Sequence, residues 1–229
     1  MFLRQLIIVT TFLLITSSFG LGIFSLVRNP KSKTVISWFL ASMTVTIWSI
    51  GYILTITSKT EEIALINLKM VYFGASLIPI LTFHFIVRFL HQEKKFKYLT
   101  YTGYLAGAAF LYLSIFTNYI FSGVKHLDYF GKYEEIQAVG FYPFLVYFLF
   151  FSLFSVILLI ISFLKNDGLV KRQSFFLALA LVIGFAGGIS NFITDLTGIY
   201  PYGQMVVWLY PVIVTYGIFI DEFKFKLKF

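Results

Sequence analysis

Seven long apolar runs, separated by short clusters of charges and turn residues, account for most of the chain. They cover residues 6–27, 35–56, 64–90, 98–117, 141–164, 174–196 and 203–220. At 1.5 Å rise per residue, runs of about 17 to 25 residues match a hydrocarbon core about 30 Å thick. The breaks carry the signals that stop such runs: Arg28, Asn29, Pro30 and Lys31 after the first, Ser58 to Glu62 after the second, His91 to Lys95 after the third, and Lys165, Asn166, Asp167 and Gly168 after the fifth. The pattern predicts an all-α integral membrane protein, a seven-transmembrane helix bundle forming a single domain over residues 1–229.

Composition supports this reading: 59% of the 229 residues are hydrophobic and 12% are charged, against about 25% charged in an average soluble domain. A soluble fold would have to expose much of that apolar surface. The absence of Cys excludes disulfides and thiolate metal sites. A net charge of +8 would suggest nucleic acid until its positions are read, for the charges flank the apolar runs. Of the 18 Lys/Arg, 13 lie in segments 28–33, 88–97, 165–172 and the C-terminal tail. The positive-inside rule then predicts an exterior N-terminus and a cytoplasmic C-terminus, with the lipid bilayer as a partner and no nucleic acid. A cleaved signal peptide is the alternative for the first run, but that run exceeds a 7–15-residue h-region and Phe19-Gly20 is a poor cleavage site. The exterior loop 119–140 is rich in aromatic and turn residues, and two short pieces around Phe130-Gly131 are candidates for a hairpin over the outer mouth, an ordinary solvated loop being the alternative.

Polar side chains within spanning helices are costly, about 2.5–3.5 kcal/mol for a charge at the helix centre, so each asks for a partner or a function. Here Asn67 and Lys69 enter with the third run, Asn118 ends the fourth, Asn191 and Asp195 end the sixth, and Gln204 opens the seventh. All fall in the outer third. Asn191 and Asp195, spaced i, i+4, share a face, and Lys69 at similar depth makes a Lys69–Asp195 pair the candidate contact. With Tyr72, Trp208 and Tyr210 these residues outline a polar pocket for a small or hydrophobic ligand. Mutual satisfaction or snorkelling to the interface is the competing account.

Other features carry less chemistry. His84 and Arg88 share a face with His91 beyond, but no carboxylate or Cys completes a metal site, and interfacial anchoring of Arg88 and His91 is the better expectation. Gly103/Gly107 and Gly184/Gly188 form G-x-x-x-G pairs that suit packing within the bundle and would also allow a homodimer. Pro79 and Pro211 mark expected kinks. The seventh run has no Lys to hold retinal, Gly188-Ile189-Ser190 lacks the later His of an intramembrane serine protease, and no phosphate-binding glycine loop is present. No catalytic residue, metal or cofactor is expected.

Several stretches occur in a suggestive order: Trp38-Phe39 and Ile47 to Tyr52, Tyr72-Phe73-Gly74, Ile78 to Phe85, Thr117 to Val124, Gly140-Phe141-Tyr142-Pro143, Lys171-Arg172-Gln173 and Tyr200-Pro201. In that order the chain resembles the N-terminal seven-transmembrane sensor region that precedes bacterial and archaeal histidine kinases, diguanylate cyclases and related outputs. The resemblance implies an extracellular sensing role, with the signal leaving through the last helix to a cytoplasmic output. After Asp221-Glu222 the chain ends at Phe229, so the expected output is a cytoplasmic partner or a separately encoded domain. The tail 223–229 alternates Phe or Leu with Lys and is expected to lie on anionic headgroups. A small transporter would show polar residues at the midplane or an inverted repeat, and a structural subunit would be indifferent to changes at the outer polar positions.

Overall fold

The computed structural model describes residues 2–127, 132–197 and 201–226, and side-chain surroundings for 3–127, 133–192 and 201–221. These form α1 (Phe2–Arg28), α2 (Lys33–Thr57), α3 (Glu61–Phe89), α4 (Lys97–Phe116), β1 (Phe121–Leu127), β2 (Lys132–Gln137), α5 (Phe141–Lys165), α6 (Gly168–Thr197) and α7 (Leu209–Lys226). The first six helices are long and apolar enough to cross a membrane, and the apolar part of the seventh, Leu209–Asp221, is shorter.

Helix ends follow local chemistry. Ser32 and Thr60 cap α2 and α3 by accepting from the amides of Val35 and Ile63 at 3.3 and 3.4 Å, and Glu61 and Glu62 sit where the helix dipole favours negative charge. At the other end of α3, His91 takes a left-handed φ of 52°. The amides of Gln92 and His91 then donate back to the Val87 and Arg88 carbonyls at 2.9 and 3.1 Å, a Schellman closure that satisfies the terminal acceptors.

The two prolines behave differently. Pro79 lies inside α3, where it cannot donate to the Ala75 carbonyl; the adjacent Ser76 carbonyl accepts a hydrogen bond from Tyr147 Oη on α5 at 2.8 Å. Pro211 does not kink α7. It stands in the first turn, where a missing N–H costs nothing because those amides have no intrahelical acceptor. A 3₁₀ turn at Tyr202–Met205 precedes the helix. The break in α7 is instead at Phe219 (φ −105°, ψ 15°). Beside it, Gln173 Nε2 of α6 donates to the Ile218 carbonyl at 3.1 Å, and the Arg28 guanidinium of α1 lies 5.7 Å from the Phe219 ring centre.

Helix adjacency closes a ring. α1 packs between α7 and α2, α2 against α3, α3 against α5, α5 against α6 and α6 against α7, while α4 stands outside on α3. α2 and α3 approach most closely, because Gly74 faces Trp48 and Gly51 faces Val71: a Cβ on Gly74 would lie 2.6 Å from Trp48 Cβ and 2.7 Å from the Thr44 carbonyl. Gly103 and Gly107 on α4 likewise face Ile80, Phe151 and Tyr147 of the same bundle, so this G-x-x-x-G pair serves internal packing.

Strands β1 and β2 pair antiparallel, with Val124 opposite Glu135 and Lys125 opposite Glu134, and a register shift between Phe121 and Gly123. The hairpin rests on α2 and α3, anchored by buried Ile120 and Phe121. The Phe121 ring lies 4.9 Å from that of Tyr72. It therefore occupies the end of the bundle where α2 finishes and α3 begins.

Candidate functional site

Beneath the hairpin, the six ring helices line a partly open cavity of about 100 Å³, several times the space one water needs. Every ring helix reaches it: Leu14 of α1, Trp48 and Tyr52 of α2, Val71 of α3, Phe148 of α5, Gly188 and Asn191 of α6 and Tyr210 of α7. Strand β2 borders it with Tyr133, Glu134 and Glu135. The walls are largely apolar. Trp48 and Tyr52 stack with ring centres 5.4 Å apart and planes 7° from parallel.

Polar groups concentrate toward the hairpin. Glu134 and Glu135 are 6% and 9% exposed, and Tyr72 Oη donates to Glu135 Oε1 at 2.7 Å. On the far wall, Asn191 Nδ2 donates to Gln204 Oε1 at 3.1 Å, and Gln204 Nε2 donates to Thr11 Oγ1 at 3.3 Å. This chain ties α6, the segment before α7, and α1 together. It also fixes the amide orientation of Asn191, whose Oδ1 is buried without a hydrogen bond.

The nine residues expected at the outer mouth are distributed around this arrangement. Asn191 and Tyr210 line the cavity. Tyr72 and fully buried Gln204 sit directly behind it, bonded to lining residues. Asn67 Nδ2 instead donates to Ser58 Oγ at 3.1 Å, joining the start of α3 to the end of α2. Lys69 and Trp208 are half-buried and are not among the lining residues, the Trp208 carbonyl accepting from Ser17 Oγ at 3.2 Å. Asn118 is exposed. Asp195 belongs to α6, but its side chain, and with it the Lys69–Asp195 pair, lies outside the described residues.

At the opposite end, Arg88 is more than an interfacial anchor. It donates to Ser37 Oγ at 2.6 Å and to the Lys33 carbonyl at 3.3 Å, holding α3 against α2. His84 Nδ1 shares a hydrogen bond of 2.6 Å with Tyr104 Oη, which joins α4 to α3. The side chains of 222–226 and all of 227–229, which include the basic tail, lie outside the described residues.

Sequence reasoning passed over Glu134 and Glu135. Their signal was an adjacent acidic pair between Tyr133 and Ile136 in an otherwise aromatic exterior segment. Alternation along a strand would put one of the two in solvent; both are covered because β2 runs across the mouth of the ring.

A family model described as the N-terminal 7TM region of histidine kinase matches residues 10–224. The chain belongs to that family. It is a multi-pass membrane protein, and the matched family is a sensor region rather than a catalytic domain. The match takes in the six ring helices, α4 and the hairpin alike. No curated protein matches the chain.

Proposed function

We propose that this chain is the receiving module of a membrane signalling system in a prokaryotic cytoplasmic membrane. The seven helices act as one domain, with the hairpin end outside and the basic end in the cytoplasm. A small ligand occupies the cavity beneath the hairpin, and its presence is relayed through α7 to a histidine-kinase-type output. The observation that carries this reading is the cavity itself: a cleft reached by all six ring helices and bordered by a strand. A ligand there touches each helix and can bias their relative positions only through differential contacts with two arrangements.

Two further features support the relay. The break at Phe219 places a local irregularity on the helix that leads to the output, held by Gln173 and Arg28 from its two neighbours. Asn191, Gln204 and Thr11 tie the cavity wall to both helices that flank α7. The distribution of Lys and Arg supports the orientation.

The test joins residues 1–226 to a histidine-kinase catalytic region and measures autophosphorylation in proteoliposomes. Gly188 borders the cavity, and a Cβ there would meet nothing within 4 Å, so Gly188→Leu fills the space without a backbone clash. Gly188→Leu and Glu135→Gln should each shift basal phosphorylation severalfold, while Leu105→Ala on the exposed face of α4 should not. Unchanged phosphorylation in both cavity variants would remove the receptor reading.

A further inference from the structure

A second cleft lies at the other end of the bundle, well away from the hairpin. It measures about 790 Å³, within the range of about 300–1,000 Å³ usual for ligand pockets. It forms where helix ends part. α3 closes at His91, α5 stops at Asn166, whose Nδ2 donates back to the Ser162 carbonyl at 2.9 Å, and α7 breaks at Phe219. All four of these residues border the space.

The charge around it has one sign. Among the described residues that line the cleft, Lys95 and Lys165 are basic and none is Asp or Glu. The acids nearby in the chain do not neutralise them: Asp167 lies 3.9 Å from Lys171, and Glu93 is exposed and outside the lining. Among the described residues no ion pair holds Lys95 or Lys165. Asn29 and Ser32, after the end of α1, add hydrogen-bonding groups. Ammonium groups backed by neutral donors are a setting that recognises a phosphate.

The rest of the wall has no use for a phosphate. Val35, Leu158, Ile161 and Phe219 make it apolar, so the cleft suits a molecule with an anionic head and a hydrocarbon body. Its depth agrees: Lys165 is the last residue of the α5 span and Lys95 follows the α3 span by six positions, the level of lipid headgroups.

We propose that this cleft binds one anionic phospholipid, its phosphate toward Lys95 and Lys165 and an acyl chain along the apolar wall. The site also reaches the last helix. Gln173, which donates to the Ile218 carbonyl, lines the cleft together with Ile218 and Phe219, so a bound lipid touches the break in α7.

The test uses the full chain in detergent with three probes: phosphatidylglycerol, phosphatidylcholine and the water-soluble sn-glycerol 3-phosphate. Native mass spectrometry counts bound molecules and thermal unfolding reads their effect. One phosphatidylglycerol should remain on each chain and raise the unfolding temperature above that with phosphatidylcholine, and glycerol 3-phosphate should do neither. Lys95→Gln combined with Lys165→Gln should weaken phosphatidylglycerol binding about thirtyfold, the scale of two Lys beside an anionic headgroup. Lys94→Gln combined with Lys97→Gln removes the same charge from exposed positions that do not line the cleft, and should leave binding nearly unchanged. Equal loss in both double variants means diffuse attraction to the basic end and overturns the site. Stabilisation by glycerol 3-phosphate as large as that by phosphatidylglycerol assigns the cleft to a soluble phosphate and overturns the lipid, and equal binding of the two phospholipids overturns the preference for an anion.

Discussion

Tyr72 and Glu135 meet 63 positions apart in the chain, one from the middle of α3 and one from the strand that covers it. Both are buried, so removing the donor takes one hydrogen bond from a buried carboxylate. Tyr72→Phe is expected to cost about 1.5–3 kcal/mol, the range for a hydrogen bond to a charged group, measured as a lower midpoint in thermal or denaturant unfolding. Gln204 is the second such residue. Gln204→Leu strips Asn191 and Thr11 of their shared partner and is expected to destabilise by about 1–3 kcal/mol, whereas Asn118→Ala, at an exposed position, should stay within about 0.5 kcal/mol. Equal stability of the Gln204 and Asn118 variants would show that the buried chain of amides contributes nothing. The cost of polar groups in apolar spans singled out Asn191, Gln204 and Asn118 alike, because depth can be read from one sequence and facing cannot. Tyr72 and Gln204 lie behind the cavity wall, while Asn118 points away. Glu134 and Glu135 were harder to read, since a loop residue is presumed solvated until the loop is seen to fold over the bundle.

Among the elements, α2 and α3 form the tightest pair, and two glycines set their separation. Gly74→Leu should be severely destabilising, because even a Cβ there meets backbone and side-chain atoms of α2 below 3 Å. Gly74→Ala is expected to cost about 1–3 kcal/mol through forced separation of the helices. Gly20→Ala is the control: nothing lies within 4 Å of its Cβ, and replacing glycine inside a helix gains about 0.5–1 kcal/mol from propensity. Thermal unfolding in nanodiscs distinguishes them, and equal midpoints would refute the close approach. Apolar run length made the helices legible, and turn residues suggested the hairpin around Phe130-Gly131, two residues that themselves lie outside the described residues between β1 and β2. A proline inside an apolar run reads as a kink, which is why the sequence points to Pro211 in α7. The run did not reveal that α-helix begins only at Leu209, which turns Pro211 into a starting residue and leaves the irregularity at Phe219.

For the whole molecule, the ring of six helices with α4 outside explains why one cavity touches so many elements. Chain order alone could not supply that closure: neighbours such as α3 with α5 and α1 with α7 are set by packing, and only contact between the first and last helices completes the wall. The receptor account depends on the hairpin facing the outside of the cell. The chain contains no Cys, so single cysteines report topology without background. Ser122 on β1 and Lys94 after α3 are both exposed, at opposite ends of the bundle. The most direct measurement is modification of Ser122→Cys and Lys94→Cys by a membrane-impermeant maleimide on intact cells. The account predicts that Ser122→Cys is labelled at once and Lys94→Cys only after permeabilisation; labelling of Lys94→Cys alone on intact cells would place the cavity mouth in the cytoplasm and contradict it.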